Sequence, residues 1–123
     1  MKKELIAHKD PKSPVSEIFR TLRTNIQFMN TNKPLKTLLV TSTLPGEGKS
    51  WVASNLSVAF AQAGKRVILI DADMRKGRIY NIFGVLPRPG LSNYLSGVSE
   101  NGYNRENLGE FLRETEVPNL YVL

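Results

Sequence analysis

A chain of 123 residues with 41% hydrophobic content is long enough for one hydrophobic core, so we expect a single domain. It has no cysteine, which excludes a disulfide framework and a thiolate metal site and suits a reducing compartment. No apolar run is long enough to span a bilayer, and no signal-type apolar core follows the N-terminus. These features predict a soluble intracellular protein.

The net charge of +6 is unevenly spread. Residues 1–36 carry eight Lys/Arg against three acidic residues, whereas residues 101–123 carry two against four. A basic leading segment suits anionic lipid or an acidic partner, or is simply a solvated face. Because it lacks an aromatic-interleaved basic patch and a helix-turn-helix pattern, we expect no nucleic-acid partner.

The first predicted helix covers residues 13–30, after a loose arm at residues 1–12. Ser13 and Pro14 are typical of a helix start, and apolar residues then recur at three- and four-residue steps. The predicted apolar face consists of Val15, Ile18, Phe19, Leu22, Ile26 and Met29. Beside it lies a charged stripe of Glu17, Arg20 and Arg23. Such a stripe is either a surface salt-bridge set or a docking surface for another subunit.

The next segment predicts a phosphate-binding loop between a strand at residues 35–42 and a helix at residues 49–63. The predicted cofactor-binding residues are Pro45-Gly46-Glu47-Gly48-Lys49-Ser50 and the following Trp51. The glycines of the loop allow several backbone N–H groups to point inward at a triphosphate. Lys49 can neutralise the outer phosphates and the Ser50 hydroxyl can ligate Mg²⁺. Thr43 stands where the pattern usually opens with glycine, and the simpler alternative is an ordinary glycine turn.

An acidic pair follows the second predicted strand, residues 67–70, which is apolar without alternation and so predicted to be buried on both faces. Two parallel strands joined by a helix bring their ends to the same edge of a sheet, where open α/β sheets bind ligands. Asp71 and Asp73 point to opposite sides of the chain. We expect Asp71 to face the metal and phosphates and Asp73 to brace the loop or hold Arg75. The simpler alternative is a strand-terminating turn, in which aspartate is common.

The rest of the chain gives weaker signals. We predict short helices at residues 77–83, 91–95 and 105–114, a loop at residues 97–103, and a strand at residues 120–123. The predicted fold is a three-layer α/β/α domain with a P-loop NTPase-like parallel sheet flanked by helices. Because such a sheet needs more strands, we expect residues 13–123 to be the N-terminal part of the domain, incomplete at the C-terminus.

The motifs resemble those of the bacterial tyrosine kinases of capsule and exopolysaccharide synthesis. The phosphate loop is followed by Ile70-Asp71-Ala72-Asp73-Met74-Arg75, similar to the family's Walker A′ motif. The stripe Glu17, Arg20 and Arg23 matches the family's Glu-x-x-Arg-x-x-Arg oligomerisation helix. The resemblance covers nearly the whole chain. The family's later Walker B aspartate and tyrosine-rich tail are not found in these residues.

The resemblance implies an ATP- and Mg²⁺-dependent enzyme that transfers the γ-phosphoryl group to tyrosines of its own C-terminal tail and of other proteins. Lys49, Asp71 and Asp73 would be catalytic, and Ser50 and Asp71 would serve the metal. The helix at 13–30 would join subunits into a homo-oligomeric ring. The short N-terminus resembles the cytoplasmic version that a polysaccharide co-polymerase adaptor recruits to the inner face of the membrane through its cytoplasmic tail.

Two other functions stay open. A partitioning or division-site ATPase of the same deviant Walker A superfamily would carry a lysine just ahead of the loop glycines, but Leu44 and Pro45 stand there. A nucleotide-binding scaffold, inactive as this fragment, would bind ATP without phosphotransfer.

Overall fold

The computed structural model describes residues 4–29, 32–97 and 106–123. Five helices are described: α1 (Ile6–Lys9), α2 (Pro14–Phe28), α3 (Lys49–Gln62), α4 (Ile79–Phe83) and α5 (Leu91–Ser96). Three strands are described: β1 (Val67–Leu69), β2 (Arg113–Glu114) and β3 (Leu120–Val122). The helices predicted from residues 13, 49, 77 and 91 and the strands predicted from residues 67 and 120 are thus confirmed to within a few residues.

The sheet has the order β1-β3-β2 and is mixed. Strands β1 and β3 are parallel, with Val67 opposite Leu120 and Leu69 opposite Val122. Strand β2 pairs with β3 in the antiparallel sense, so the purely parallel sheet that we expected gains an antiparallel edge. The α/β class is confirmed.

Helix α3 lies at the centre of the molecule. Its small and apolar side chains are buried from Ser54 to Ala59 and at Ala61, because α1, α2 and the sheet all pack against it. The main core cluster lies between α3, α4 and the sheet and consists of Leu5, Ala7, Val58, Ala61, Ile79, Ile82, Phe83, Val117, Leu120 and Val122. A smaller cluster of Phe19, Leu56 and Ala59 joins α2 to α3.

The segment at residues 35–42 differs from its prediction as a strand. It has no partner strand among the described residues, and Leu39 is 86% exposed. An apolar β-type sequence forms a ladder only where another strand meets its backbone groups. The prediction of a βαβ unit that begins with this segment is therefore wrong for the described residues.

Strand β1 is also less buried than predicted. Val67 and Leu69 pack against the core cluster, but Ile68 is 43% exposed. Ile70, just beyond the strand, is 53% exposed. Side chains of a strand alternate between two faces, and here the core covers one of them. The expectation of burial on both faces is wrong for the described part of the chain.

The N-terminal residues are packed rather than loose over the part that the structure describes, which begins at Glu4. Leu5 and Ala7 are buried, and the backbone around them is held by polar side chains of two helices. Asn55, itself fully buried, accepts the Ala7 N–H at 3.0 Å and donates to the Glu4 carbonyl at 2.7 Å. Ser16 donates to the carbonyls of Ile6 and Asp10. The prediction of a loose arm is wrong for these residues. Hydrogen bonds from side chains to the backbone order the segment, and such contacts produce no apolar period that the sequence could reveal.

Two further expectations fail in part. The predicted single apolar face of α2 is divided: Phe19 is buried against α3, whereas Ile18 and Met29 are 63% and 82% exposed. Over residues 106–114 the predicted helix is replaced by one 3₁₀ turn, Leu108–Glu110, followed by strand β2. Most of the loop predicted at 97–103 lies outside the described residues.

Candidate nucleotide-binding site

The phosphate loop ends in a sharp turn at the start of α3. Gly46 and Gly48 have φ angles of 78° and 82°, in the left-handed region that side chains disfavour. A Cβ at either position would meet no atom within 4 Å, so backbone conformation rather than crowding requires glycine here. Gly48 is the N-cap of α3 and leaves the helix N-terminus, with its partial positive charge, facing the loop.

Glu47 folds back across the opening of the loop. Its carboxylate accepts the Leu44 N–H at 3.3 Å and the Thr43 hydroxyl at 3.4 Å. Thr43, where glycine was expected, therefore has a local partner. Residues 43–49 are all exposed, which leaves the loop open to a ligand.

The acidic turn begins where β1 ends. The Asp71 N–H donates to the Leu123 carbonyl at 2.9 Å, which fixes the turn to the end of β3. One oxygen of the Asp71 carboxylate accepts the Asp73 N–H at 3.1 Å, and the other accepts those of Arg78 and Ile79 at 3.0 and 3.1 Å. We expected Asp73 to hold the loop in place, and Asp71 also does so through these hydrogen bonds.

Asp73 is exposed, and its carboxylate accepts the N–H groups of Lys76 and Arg75 at 2.9 and 3.2 Å. Those two hydrogen bonds lower the pKa of Asp73 below its ordinary value, and the positive charges of Lys49 and Lys76 act in the same direction. The charge of Lys49 therefore acts on Asp73. The acidic turn thus lies within electrostatic reach of Lys49, and the convergence of the two motifs on a triphosphate stays a prediction.

Ser50 and Trp51 occupy the first turn of α3. Ser50 is half-buried. The Trp51 ring is 37% exposed and packs edge-on against Phe19 of α2, with ring centroids 5.2 Å apart. Trp51 was expected beside the nucleotide, and the structure shows it between the loop and α2.

The donor set fits a magnesium–nucleotide complex. The Ser50 hydroxyl and the carboxylates of Asp71 and Asp73 are hard oxygen ligands. Mg²⁺ is usually held by one or two such ligands together with phosphate oxygens and waters. No group of three or more His, Cys, Asp or Glu residues that could hold a metal ion alone occurs in the described parts of the chain.

The charged stripe of α2 is divided between two environments. Arg20 donates two hydrogen bonds to Glu17, at 2.6 and 3.0 Å, and a third to the Pro11 carbonyl. Arg23 instead points to α3 and donates to the Ala59 carbonyl at 3.0 Å, while its Nε is buried without a hydrogen-bond partner. The salt bridge predicted within the stripe is present, and the third member belongs to the helix–helix contact.

Sequence reasoning missed two residues that support this site. Asn55 is one: it donates to the Trp51 carbonyl at 2.9 Å in the first turn of α3, and a buried asparagine inside a helix has no recognisable pattern. Gly77 is the other: it lies against Asp71 and was interpreted only as the start of a helix. The available signal was a glycine in a short turn that also carries two aspartates.

Comparison with known proteins agrees with this geometry. Residues 38–89 match the family described as the CobQ/CobB/MinD/ParA nucleotide binding domain. The chain is 47% identical over 95 residues to tyrosine-protein kinase YwqD of Bacillus subtilis, an alignment that covers 77% of this chain and 40% of that protein. It is 42% identical over 108 residues to tyrosine-protein kinase CpsD of Streptococcus agalactiae, covering 87% of this chain and 43% of that protein.

The crystal structure of the chimerical protein CapA2B2 matches with a TM-score of 0.85 and 38% identity, over 98% of this chain and 50% of that one. Residues 38–89 are thus similar to nucleotide-binding domains of the CobQ/CobB/MinD/ParA type, in line with the α/β fold. Over most of its own length, the chain is similar in sequence to proteins named bacterial tyrosine-protein kinases. It spans half or less of the length of these relatives. None of the helices described here has the length and hydrophobicity needed to cross a membrane.

Proposed function

We propose that the full-length protein containing this chain is an ATP-dependent protein-tyrosine kinase of capsular or exopolysaccharide synthesis. The observation that carries the proposal is the left-handed glycine turn at the N-terminus of α3, and the Lys49 charge that acts on the Asp73 carboxylate supports it. The names of the homologous kinases support the same activity.

In this proposal the loop holds the triphosphate. The turn at Gly46 and Gly48 and the N-terminus of α3 offer backbone N–H groups, and Lys49 neutralises the outer phosphates. Glu47 would release the Leu44 N–H when a phosphate takes its place. Such preorganised donors favour the charge that develops during phosphoryl transfer.

The acidic pair would serve the metal and the acceptor. Mg²⁺ would be held by Ser50 and by Asp71, directly or through water, and would neutralise the phosphate charge. Asp73, kept ionised by the hydrogen bonds of its own turn, supports the site. Either carboxylate can accept the proton of a tyrosine hydroxyl that approaches this edge.

The partners follow from the resemblance. We propose a homo-oligomeric ring joined through α2, with Glu17 and Arg20 available on its surface and Arg23 fixing the helix on α3. We further propose tyrosine-bearing protein substrates, and recruitment from the cytoplasm to the inner face of the membrane by the cytoplasmic tail of a polysaccharide co-polymerase adaptor.

Incubation of the full-length protein with Mg-ATP tests the activity. Phosphotyrosine should appear on the wild type and not on Lys49→Ala, while Lys36→Ala, which removes another exposed lysine, serves as the matched control. The family match, which includes MinD and ParA, makes a partitioning ATPase the second candidate. Nucleotide hydrolysis without protein phosphorylation would favour that candidate, and nucleotide binding with neither reaction would leave only a scaffold.

A further inference from the structure

The acidic turn is closed by a contact with a glycine that has no room for a side chain. A Cβ on Gly77 would lie 2.8 Å from the Asp71 Oδ2 atom and 2.8 Å from the Asp73 carbonyl oxygen, with the Asp71 Cγ at 3.4 Å. Distances under 3.0 Å are shorter than real Cβ contacts, so a side chain here would displace one of these groups. The Asp73 carbonyl belongs to the backbone of the turn, whereas the Asp71 carboxylate can rotate.

Rotation of that carboxylate would break a defined set of hydrogen bonds. The oxygen next to Gly77 is the one that accepts the N–H groups of Arg78 and Ile79. Ile79 begins α4 and is 4% exposed, so that end of the contact is anchored in the core. The other Asp71 oxygen accepts the Asp73 N–H. Asp71 therefore joins both ends of the turn, at Asp73 and at α4.

We propose that Gly77 is a positioning residue for the acidic pair: its missing side chain lets Asp71 reach the start of α4 and so fixes the conformation of the turn that carries Asp71 and Asp73. The inference rests on the proposed function, because it assigns the pair a task with a metal–nucleotide complex. Gly77 itself touches no ligand in this assignment. It acts through Asp71.

The test uses the full-length protein and ADP as the probe. ADP affinity is measured by calorimetry in EDTA and again with Mg²⁺, for the wild type, Gly77→Ala, Asp71→Asn and the double variant. The matched control is Gly109→Ala, since a Cβ at Gly109 also comes close to a side-chain oxygen, 3.1 Å from Asn107 Oδ1, in the 3₁₀ turn Leu108–Glu110. Thermal unfolding of every variant is followed in parallel.

We expect Gly77→Ala to reduce the gain in ADP affinity that Mg²⁺ provides by about tenfold or more, the usual effect of losing a group that orients a metal ligand. ADP affinity in EDTA should stay within about twofold of the wild type, and Gly109→Ala should resemble the wild type in both conditions. The double variant should be no worse than Asp71→Asn alone, because the two residues act as one unit.

Three results would overturn the inference: an unchanged Mg²⁺ effect in Gly77→Ala, an equal loss of affinity with and without Mg²⁺, or additive losses in the double variant. Unfolding of Gly77→Ala while Asp71→Asn stays folded would also overturn it, since Gly77 would then act through general packing. Failure of the proposed function is a different result, namely that the wild type does not bind ADP under either condition.

Discussion

Residues 4–12 and residues 35–42 have exchanged the roles that their sequences predict. The first has no hydrophobic period, yet it is packed, because Asn55, Gln62 and Ser16 hydrogen-bond to its backbone. The second is an apolar strand-type sequence, yet it is exposed, because no strand pairs with it in the described residues. Backbone hydrogen-bond partners therefore decide which segment is ordered into the fold, and apolar content alone does not.

The same substitution in the two environments gives the sharpest test of this contrast. Leu56→Ala in α3, where Leu56 is 3% exposed, should lower the free energy of unfolding by about 2–5 kcal/mol. Leu39→Ala, at 86% exposure, should change it by about 0.5 kcal/mol or less. Urea unfolding of the 123-residue chain measures both values. A large loss from Leu39→Ala would mean that the segment has a hidden partner.

Substitutions in the exposed phosphate loop should affect ligand binding and phosphotransfer rather than the stability of the fold. Lys49→Ala should lower phosphotransfer by the full-length protein by about 100-fold or more, the effect of removing a preorganised charge partner, without lowering the melting temperature. Phosphotyrosine blotting and thermal unfolding give the two readouts. A matching drop in melting temperature would place Lys49 in the packed part of the molecule instead.

Asn55→Ala probes the packed N-terminal segment. It leaves the buried N–H of Ala7 and the carbonyl of Glu4 without their side-chain partner, at a cost of about 1–3 kcal/mol in the free energy of unfolding. Asn25→Ala, on the exposed side of α2, is the control and should cost much less. Hydrogen exchange of the Ala7 amide should accelerate only in Asn55→Ala, and unchanged protection would refute the assigned contact.

The smallest effect is expected for the dependence of folding stability on acidic pH. The pKa of Asp73 in the folded chain lies below its ordinary value of 3.8, so its ionised form stabilises the fold above that pH, and this contribution is lost as the pH falls through the folded value. Asp73→Asn should therefore flatten the dependence of stability on pH below about 4. Unfolding curves between pH 2 and pH 5 test the sign. Because Asp73 is exposed, the change should be small and should shrink in high salt.

Local signals predicted most elements that carry their own cues. Helix α2 was recognisable from Ser13 and Pro14, and the turn into α3 from Gly48 and Lys49, because caps and glycines act within a few residues. The expected convergence of the loop and the acidic pair was derived from two parallel strands, and the first of them, residues 35–42, has no partner strand among the described residues.

What could not be predicted depends on contacts distant in sequence. Asn55 meets Ala7 across 48 residues, and Arg23 meets Ala59 across 36. Neither pairing has a local pattern. The division of α2 into a buried and an exposed apolar side has the same origin, because only the position of α3 decides which side Phe19 and Ile18 take.

The edge-on contact between Trp51 and Phe19 has a practical consequence. Trp51 is the single tryptophan of the chain, and it lies directly behind Ser50 while touching α2. Its emission is therefore an intrinsic, label-free signal that belongs to one known place. Under the proposed function, a titration with nucleotide and a dilution series that separates subunits should each change this emission, and stopped-flow measurement would give the order of the two events.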